Sequence, residues 1–290
     1  MTPSESSYLT VRGLRYHVRA WGPASAPPFI FLHGWMDCSA SFQFLVDALK
    51  PGRRILAPDW RGEGLTAWAS TGGYTYVDYL ADLDALLEAL HPGRPADIVG
   101  HSRGGNIASL YAGIRPERVR RVVNIEGFGL RRREATDAPA YYAKWLAGLR
   151  EPGKVREYSG YLELAMQIRR RNPRLSEEKA AFLAQHWATT RDDGRIMLRS
   201  DPALTEPAVM LFKFDEMLAC FRSIRSPLLW IEATESNNRE RHGITDEDFA
   251  ERRGAISTAR TAVVADAGHM VHLEQPERLA ELIDPFLTGP

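Results

Sequence analysis

The chain has 290 residues, of which 44% are hydrophobic, so it can bury a large core as one domain with an insertion. The formal net charge is +0 and the pI is about 7.1, which gives no charge attraction to nucleic acid or to an anionic membrane. Cys38 and Cys220 have no metal or redox spacing, and no secretory leader or membrane-spanning run is present, so we expect free thiols, no membrane insertion and a cytoplasmic location.

The first half of the chain alternates between strand and helix patterns. Short apolar runs predict strands near residues 8–12, 14–20, 28–32, 54–58, 96–99 and 122–126. Helical spacing predicts helices near residues 39–49, 76–90 and 103–114. From residue 28 onward this alternation indicates a parallel sheet covered by helices on both faces, with an antiparallel pair of strands before it.

The strand pattern stops between Gly127 and Ser226. This segment is rich in Arg, Glu, Ala and Leu, and residues 141–146 and 177–187 have helical spacing. Strands near 227–232 and 260–264 and a helix near 275–287 then resume the earlier pattern. We therefore expect a helical insertion within an α/β core.

Residues 100–104 read Gly-His-Ser-Arg-Gly, directly after a predicted strand and before a predicted helix. In the pattern Gly-x-Ser-x-Gly the serine occupies the tip of a sharp strand-to-helix turn, where glycines two residues away prevent collisions. Ser102 would then lie at a helix N-terminus, whose amides face the reacting group. A motif this short also occurs by chance, so the rest of the chain has to supply the context.

Three further motifs follow predicted strands and supply that context. They are His-Gly-Trp at residues 33–35, Asp-Trp-Arg-Gly-Glu-Gly at 59–64 and Gly-His-Met-Val-His-Leu-Glu-Gln-Pro at 268–276. With the serine motif and in this order, they resemble the α/β-hydrolase superfamily over roughly residues 8–128 and 225–288. The run Glu-Gly-Phe-Gly from residue 126 is also similar to the group called serine hydrolase-like.

The resemblance implies an α/β-hydrolase fold, with a mostly parallel eight-stranded sheet flanked by helices and a helical cap inserted after the sixth strand. We place the core at residues 1–127 and 226–290 and the cap at 128–225. In the family pattern, His269 is the base that activates the serine hydroxyl and His272 packs or makes structural hydrogen bonds. The backbone amides of Trp35 and Arg103 would form the oxyanion hole.

The residue that orients His269 is ambiguous in the sequence. Most family members carry an aspartate after the seventh strand, where this chain has Ser236, with Glu235 one position away. One branch of the haloalkane dehalogenases instead uses a carboxylate at the end of the sixth strand, which corresponds to Glu126 here. We predict Glu126, with Glu235 as the alternative; a carboxylate at position 126 that merely caps its loop is also left open.

These residues predict a serine hydrolase that cleaves a carboxylic ester of a small or medium, largely apolar substrate through an acyl-enzyme. Carbon–carbon bond hydrolases, lactonases and acyltransferases use the same triad, and a ligand-binding homologue without catalysis is a further alternative. We expect a small-molecule substrate, no nucleic acid partner, no cofactor and no metal, and the sequence leaves a homodimer open. The arginine runs at 131–133 and 169–171 are interpreted as solvated helix faces. Trp145 and Trp187 are interpreted as core, with lining of the acyl pocket as the alternative.

Overall fold

The computed structural model describes residues 1–69, 73–150, 153–207 and 213–289. Residues 151–152 and 208–212 of the expected insertion, and residues 70–72 and 290 of the expected core, lie outside these ranges. In chain order the strands of the described residues are β1 (Ser4–Val11), β2 (Leu14–Trp21), β3 (Pro28–Leu32), β4 (Arg54–Pro58), β5 (Ala96–His101), β6 (Val119–Ile125), β7 (Glu157–Tyr158), β8 (Ala188–Thr190), β9 (Ile196–Leu198), β10 (Leu228–Ala233) and β11 (Ala259–Val264).

Eight of these strands form one sheet in the order β1-β2-β4-β3-β5-β6-β10-β11. The β1–β2 and β2–β4 pairs are antiparallel, and the six strands β4, β3, β5, β6, β10 and β11 run parallel to one another. Every residue of β5 is buried, as expected for a parallel strand covered on both faces. The predicted mostly parallel eight-stranded sheet is confirmed, and β5 extends beyond the predicted strand to His101.

Helices cover both faces of this sheet. Ile98 of β5 packs in a core cluster with Leu83 and Ile107, whereas the next residue, Val99, packs on the opposite face with Leu45 and Ile283. The α-helices of the described residues are α1 (Gln43–Ala48), α2 (Tyr76–Leu90), α3 (Arg103–Ile114), α4 (Ala138–Arg150), α5 (Tyr161–Arg171), α6 (Glu177–Trp187), α7 (Phe214–Arg222), α8 (Asn238–Arg241), α9 (Asp246–Gly254), α10 (Val271–Glu274) and α11 (Pro276–Thr288). In the described ranges none of them has the length and apolar character that a membrane crossing requires.

The segment between β6 and β10 contains helices and a small sheet. The helix predicted at residues 177–187 is present as α6, and α5 packs against it through Leu164, Ile168 and Leu183. The strands β7, β9 and β8 form an antiparallel sheet that the sequence did not predict, because strands of two or three residues carry no readable alternation. Further along, α7 packs with α3 in the cluster on one face of the main sheet.

Candidate active site

The turn between β5 and α3 forces Ser102 into an uncommon backbone conformation, with φ 52° and ψ −116°. Glycine is required on both sides of it. A Cβ at Gly100 would lie 2.4 Å from the backbone of Gly104, and one at Gly104 would lie 2.1 Å from the carbonyl oxygen of Leu32. The Ser102 amide donates to the carbonyl of Ile125 at 2.7 Å, so the turn is also tied to β6. The strand, the turn and the helix therefore hold the hydroxyl at the N-terminus of α3.

His269 lies between Ser102 and Glu126. Its Nε2 is 3.0 Å from Ser102 Oγ, and its Nδ1 is 3.2 Å from Glu126 Oε2. Because a carboxylate can only accept, Nδ1 carries the proton in this pair and Nε2 is free to accept the serine hydroxyl proton. The backbone carbonyl of His269 accepts a hydrogen bond of 2.8 Å from the buried ring of His101. The structure thus brings the predicted nucleophile, base and acid into one hydrogen-bonded chain.

Glu126 directly follows β6 and is fully buried, with a φ of 57°. Its Oε1 accepts the Ala233 amide at 2.7 Å, and its Oε2 accepts the hydroxyl of Ser236. Ser236, which the sequence resemblance placed at the position of the expected aspartate, here donates to the carboxylate that contacts His269. The side chain of Glu235 instead is 53% exposed, and its carboxylate lies 3.8 Å from Arg174.

The loop that carries Trp35 packs directly against the nucleophile. A Cβ at Gly34 would lie 3.3 Å from Ser102 Cβ and 3.0 Å from Nδ1 of His101. Arg103 is the first residue of α3, where a helix leaves its amides without an intrahelical acceptor. The two segments whose amides are the predicted oxyanion donors therefore meet at Ser102.

A buried ion pair joins these two segments, and the sequence analysis did not single it out. The carboxylate of Glu63 accepts from the Arg103 guanidinium and from the amide of Met36, and the guanidinium also donates to the carbonyl of Gly34 at 3.4 Å. Burial raises the pKa of Glu63 to about 7, against the attraction of the Arg103 charge. The sequence did contain a signal for this pair: Glu63 lies between two glycines of one motif, and Arg103, of opposite charge, lies between Ser102 and a glycine of another.

A second buried group lies beneath His269. The candidate ligand atoms of Asp37, His101 and His272 all lie within 4.8 Å of one another, near enough to hold a metal ion. The Asp37 carboxylate, however, already accepts hydrogen bonds from the Cys38 amide, Ser41 Oγ and Trp187 Nε1. Burial raises the pKa of Asp37 to about 6 and lowers that of His272 to about 3. We therefore interpret the group as the packed floor of the site.

A cavity of about 820 Å³ opens onto His269, within the size range of small-molecule sites. Trp35, His269 and Met270 line it on the core side, and Ile168 and Trp187 line it on the side of the inserted residues. Trp187 is half-buried: it packs against the apolar cluster of α5 and α6, it lines the cavity, and its indole N–H is bonded to Asp37, so the core and pocket interpretations both apply to it.

The comparisons with known proteins concern the family and the fold. The model of the family described as "Alpha/beta hydrolase family" matches residues 29–282. A serine hydrolase-like protein of Danio rerio is 28% identical over 278 residues, covering 93% of this chain and 84% of its own length. The structure of a hypothetical protein from Pseudomonas aeruginosa superposes with a TM-score of 0.87 at 25% identity, over 98% of this chain and 100% of its own. An esterase of Mycobacterium tuberculosis superposes with a TM-score of 0.75 at 22% identity, over 99% and 92% of the two chains, and that likeness concerns the fold.

Proposed function

The chain belongs to the alpha/beta hydrolase family, and on that premise we propose that it is a serine hydrolase that cleaves a carboxylic ester of a small or medium apolar substrate through an acyl-enzyme. One observation carries the proposal. The Nε2 atom of His269 lies 3.0 Å from Ser102 Oγ, while Nδ1 lies against a buried carboxylate. This is the geometry that general-base activation of a serine requires.

The reaction proceeds in two steps. Ser102 Oγ attacks the ester carbonyl carbon while His269 Nε2 takes the hydroxyl proton, and the tetrahedral intermediate collapses as the histidine returns this proton to the departing alcohol. A water molecule then gives a proton to His269 and attacks the acyl carbon. As this second tetrahedral intermediate collapses, the bond from the acyl carbon to Ser102 Oγ breaks, His269 returns the proton to Oγ, and the carboxylic acid leaves. Glu126 holds the ring in the required tautomer and stabilises the imidazolium that forms in each step.

The oxyanion of each intermediate is assigned to the amides of Trp35 and Arg103. Donors aimed in advance at a developing charge need no reorganisation during the reaction, which makes such a hole one of the largest contributions to catalysis. The Glu63–Arg103 pair supports this assignment because it holds both segments in one position.

We further propose that residues 128–225 act as a cap over the site. Two indole N–H groups connect this segment to the core: Trp35 donates to the carbonyl of Leu204 at 3.1 Å, and Trp187 donates to Asp37 at 3.0 Å. The apolar part of the cavity wall comes from side chains such as Leu164 and Ile168 of α5, which suits an apolar acyl or alkyl group.

The test is hydrolysis of 4-nitrophenyl esters with acyl chains of about two to twelve carbons by the wild type and by Ser102→Ala. We expect Ser-dependent turnover, a loss of roughly 10⁴-fold to 10⁶-fold in kcat in the variant, and a preferred chain length that measures the pocket. Ser109→Ala is the matched control, since Ser109 is a buried serine of α3 that donates to the carbonyl of Gly105. It should keep both turnover and covalent labelling by an organophosphonate.

No hydrolysis above the Ser102→Ala background would overturn the ester assignment. If the organophosphonate still labelled Ser102, carbon–carbon bond hydrolysis, lactone opening or acyl transfer would replace it. If Ser102 were not labelled, a binding role without catalysis would take precedence.

A further inference from the structure

Arginines outnumber carboxylates in the lining of the cavity that opens onto His269. The guanidinium groups come both from the inserted residues and from the core. The lining arginines are Arg156, Arg171, Arg174, Arg199 and Arg241. The lining carboxylates are Asp37, Glu235 and Glu274.

The three carboxylates are already balanced by donors of the protein. Asp37 accepts three hydrogen bonds beneath His269, as described above. Glu274 is buried and accepts the Gly268 amide at 2.6 Å and Asn172 Nδ2 at 2.8 Å. Glu235 lies 3.8 Å from Arg174. None of them is left to neutralise the remaining arginines of the lining.

Two of the arginines are also engaged. Arg174 lies 3.8 Å from both Glu235 and Glu274, and Arg199 donates through Nε to the carbonyl of Ala188 at 2.8 Å. Arg156, Arg171 and Arg241 are different. Over the described ranges, no carboxylate lies within 4.0 Å of these three guanidinium groups, and all three residues are exposed.

Arg171 and Arg241 line the same cavity as His269. Arg171 ends α5, three residues before Arg174, whose guanidinium approaches the loop of His269 through Glu274. Arg241 ends α8 of the core and shares the cavity lining with Glu235 and His269. Positive charge on the walls of a cleft concentrates potential inside it, and a guanidinium fork matches the two oxygens of a carboxylate or phosphate.

We propose that the natural substrate carries an oxygen-acid anion, a carboxylate or a phosphate, which binds at Arg171 and Arg241 while the ester lies at Ser102. The inference rests on the proposed function, because it places the anion relative to the reacting serine. It also separates Arg171 from Arg169 and Arg170, which the sequence grouped with it as one solvated face. Arg169 is paired with Glu177 at 2.6 Å, and neither it nor Arg170 lines the cavity.

The test compares pairs of esters that differ in charge. On the acyl side the pair is 4-nitrophenyl hydrogen adipate and its neutral methyl ester. On the alcohol side, 4-acetoxybenzoate is paired with its methyl ester, and 4-acetoxyphenyl phosphate with 4-methoxyphenyl acetate. For each pair the charge preference is the ratio of kcat/KM of the charged ester to that of the neutral one, after subtraction of the rate with Ser102→Ala. The three pairs tell a carboxylate from a phosphate and the acyl side from the alcohol side.

We expect a charge preference of roughly threefold or more in at least one pair, the size that a partly exposed ion pair gives. Arg171→Gln and Arg241→Gln should each bring that preference toward one, and added salt should reduce it in the wild type. The matched control is Arg170→Gln, which removes the same charge from the adjacent residue of the same helix. It should keep the wild-type preference.

A preference of one or less in all three pairs, in an enzyme that hydrolyses the neutral esters with Ser102, would overturn this inference and leave the proposed function intact. If no ester is hydrolysed, the proposed function fails. The anion site is then tested by comparing how tightly the charged and neutral esters bind to Ser102→Ala. Tighter binding of the charged esters, lost in Ser102→Ala combined with Arg171→Gln, would support the site. Equal binding of the charged and neutral esters would overturn it.

Discussion

The core side of the site and the inserted segment that faces it across the cavity are built in opposite ways. Ser102, Glu126 and Glu63 are held by backbone amides, buried charges and strands of the main sheet. The inserted helix α4, in contrast, has no buried residue, and Arg156 and Arg171 of the cavity lining are exposed. This difference indicates that the core side holds the proposed reacting groups rigidly, whereas the inserted segment leaves substrate recognition adjustable.

Close packing makes the core side of the site intolerant of substitutions. A Cβ at Gly104 would lie 2.1 Å from a backbone oxygen, a distance that no side-chain movement can relieve. The inserted residues instead form a small apolar cluster, which includes Leu164 of α5 and Leu183 of α6 and is shared with Leu273 of the core. We therefore expect substitutions on the core side of the site to alter the reaction rate by orders of magnitude. Substitutions at the cavity wall should alter substrate preference by small factors.

The largest difference in rate is expected between substitutions of Glu126 and Glu235, the two candidate carboxylates that the sequence left as alternatives. Glu126→Gln should lower kcat by about 10³-fold to 10⁴-fold, because an amide neither fixes the histidine tautomer in the same way nor stabilises the imidazolium. Glu235→Gln should change kcat by less than about twofold, since that side chain is largely exposed and contacts Arg174. Steady-state hydrolysis of one ester by both variants measures the difference. Near-normal turnover of Glu126→Gln with a large loss in Glu235→Gln would reverse the assignment.

A smaller effect is expected from Glu63, whose carboxylate contacts Arg103 and the Met36 amide and would thereby position the proposed oxyanion donors. Glu63→Gln should lower kcat by about tenfold to 100-fold and leave KM within about threefold, because a displaced oxyanion donor weakens the transition state more than the ground state. The half-buried Glu232 of β10 offers the matched control, and Glu232→Gln should keep both constants within about twofold. A rise in KM with kcat unchanged would assign Glu63 to substrate binding instead.

Local patterns in the sequence predicted the main sheet well. The predicted helices at 76–90 and 103–114 have the observed bounds, because each combines a regular apolar face with a clear start. The pairing of His269 with Glu126 could not be read in this way, since it depends on where β10 ends beside β6. The hydroxyl of Ser236 that supports Glu126 is a consequence of that placement, and the catalytic roles themselves stay predictions.

The wall of the cavity was harder to predict for a different physical reason. An arginine run on a helix gives no indication of which member faces a cavity, because that depends on how α5 packs against α6 and on the core. The sheet of β7, β9 and β8 was missed for the same reason: its short strands are defined by their pairing with one another and carry no sequence pattern of their own.

The smallest effect concerns the charge state that the floor imposes on His272. Burial lowers the pKa of this histidine to about 3, with the neighbouring His269 and His33 acting in the same direction. As the pH falls below about 6.5, the unfolded chain binds a proton at this residue and the folded chain does not, so its contribution to stability is present above that pH and is lost below it. His272→Gln removes this loss. Its cost in the free energy of unfolding should therefore be about 2 kcal/mol smaller at pH 5 than at pH 7.

Urea denaturation of the wild type and of His272→Gln at the two pH values measures this difference. Asp37 needs a control, because its carboxylate lies 3.8 Å from His272 and burial raises its pKa to about 6, inside the same pH window. Repeating the comparison in an Asp37→Asn background removes that titration and should leave the same difference of about 2 kcal/mol. A cost that is equal at pH 5 and pH 7 in both backgrounds would mean that the floor accepts a charged His272. Its rigidity would then come from packing alone and not from an imposed charge state.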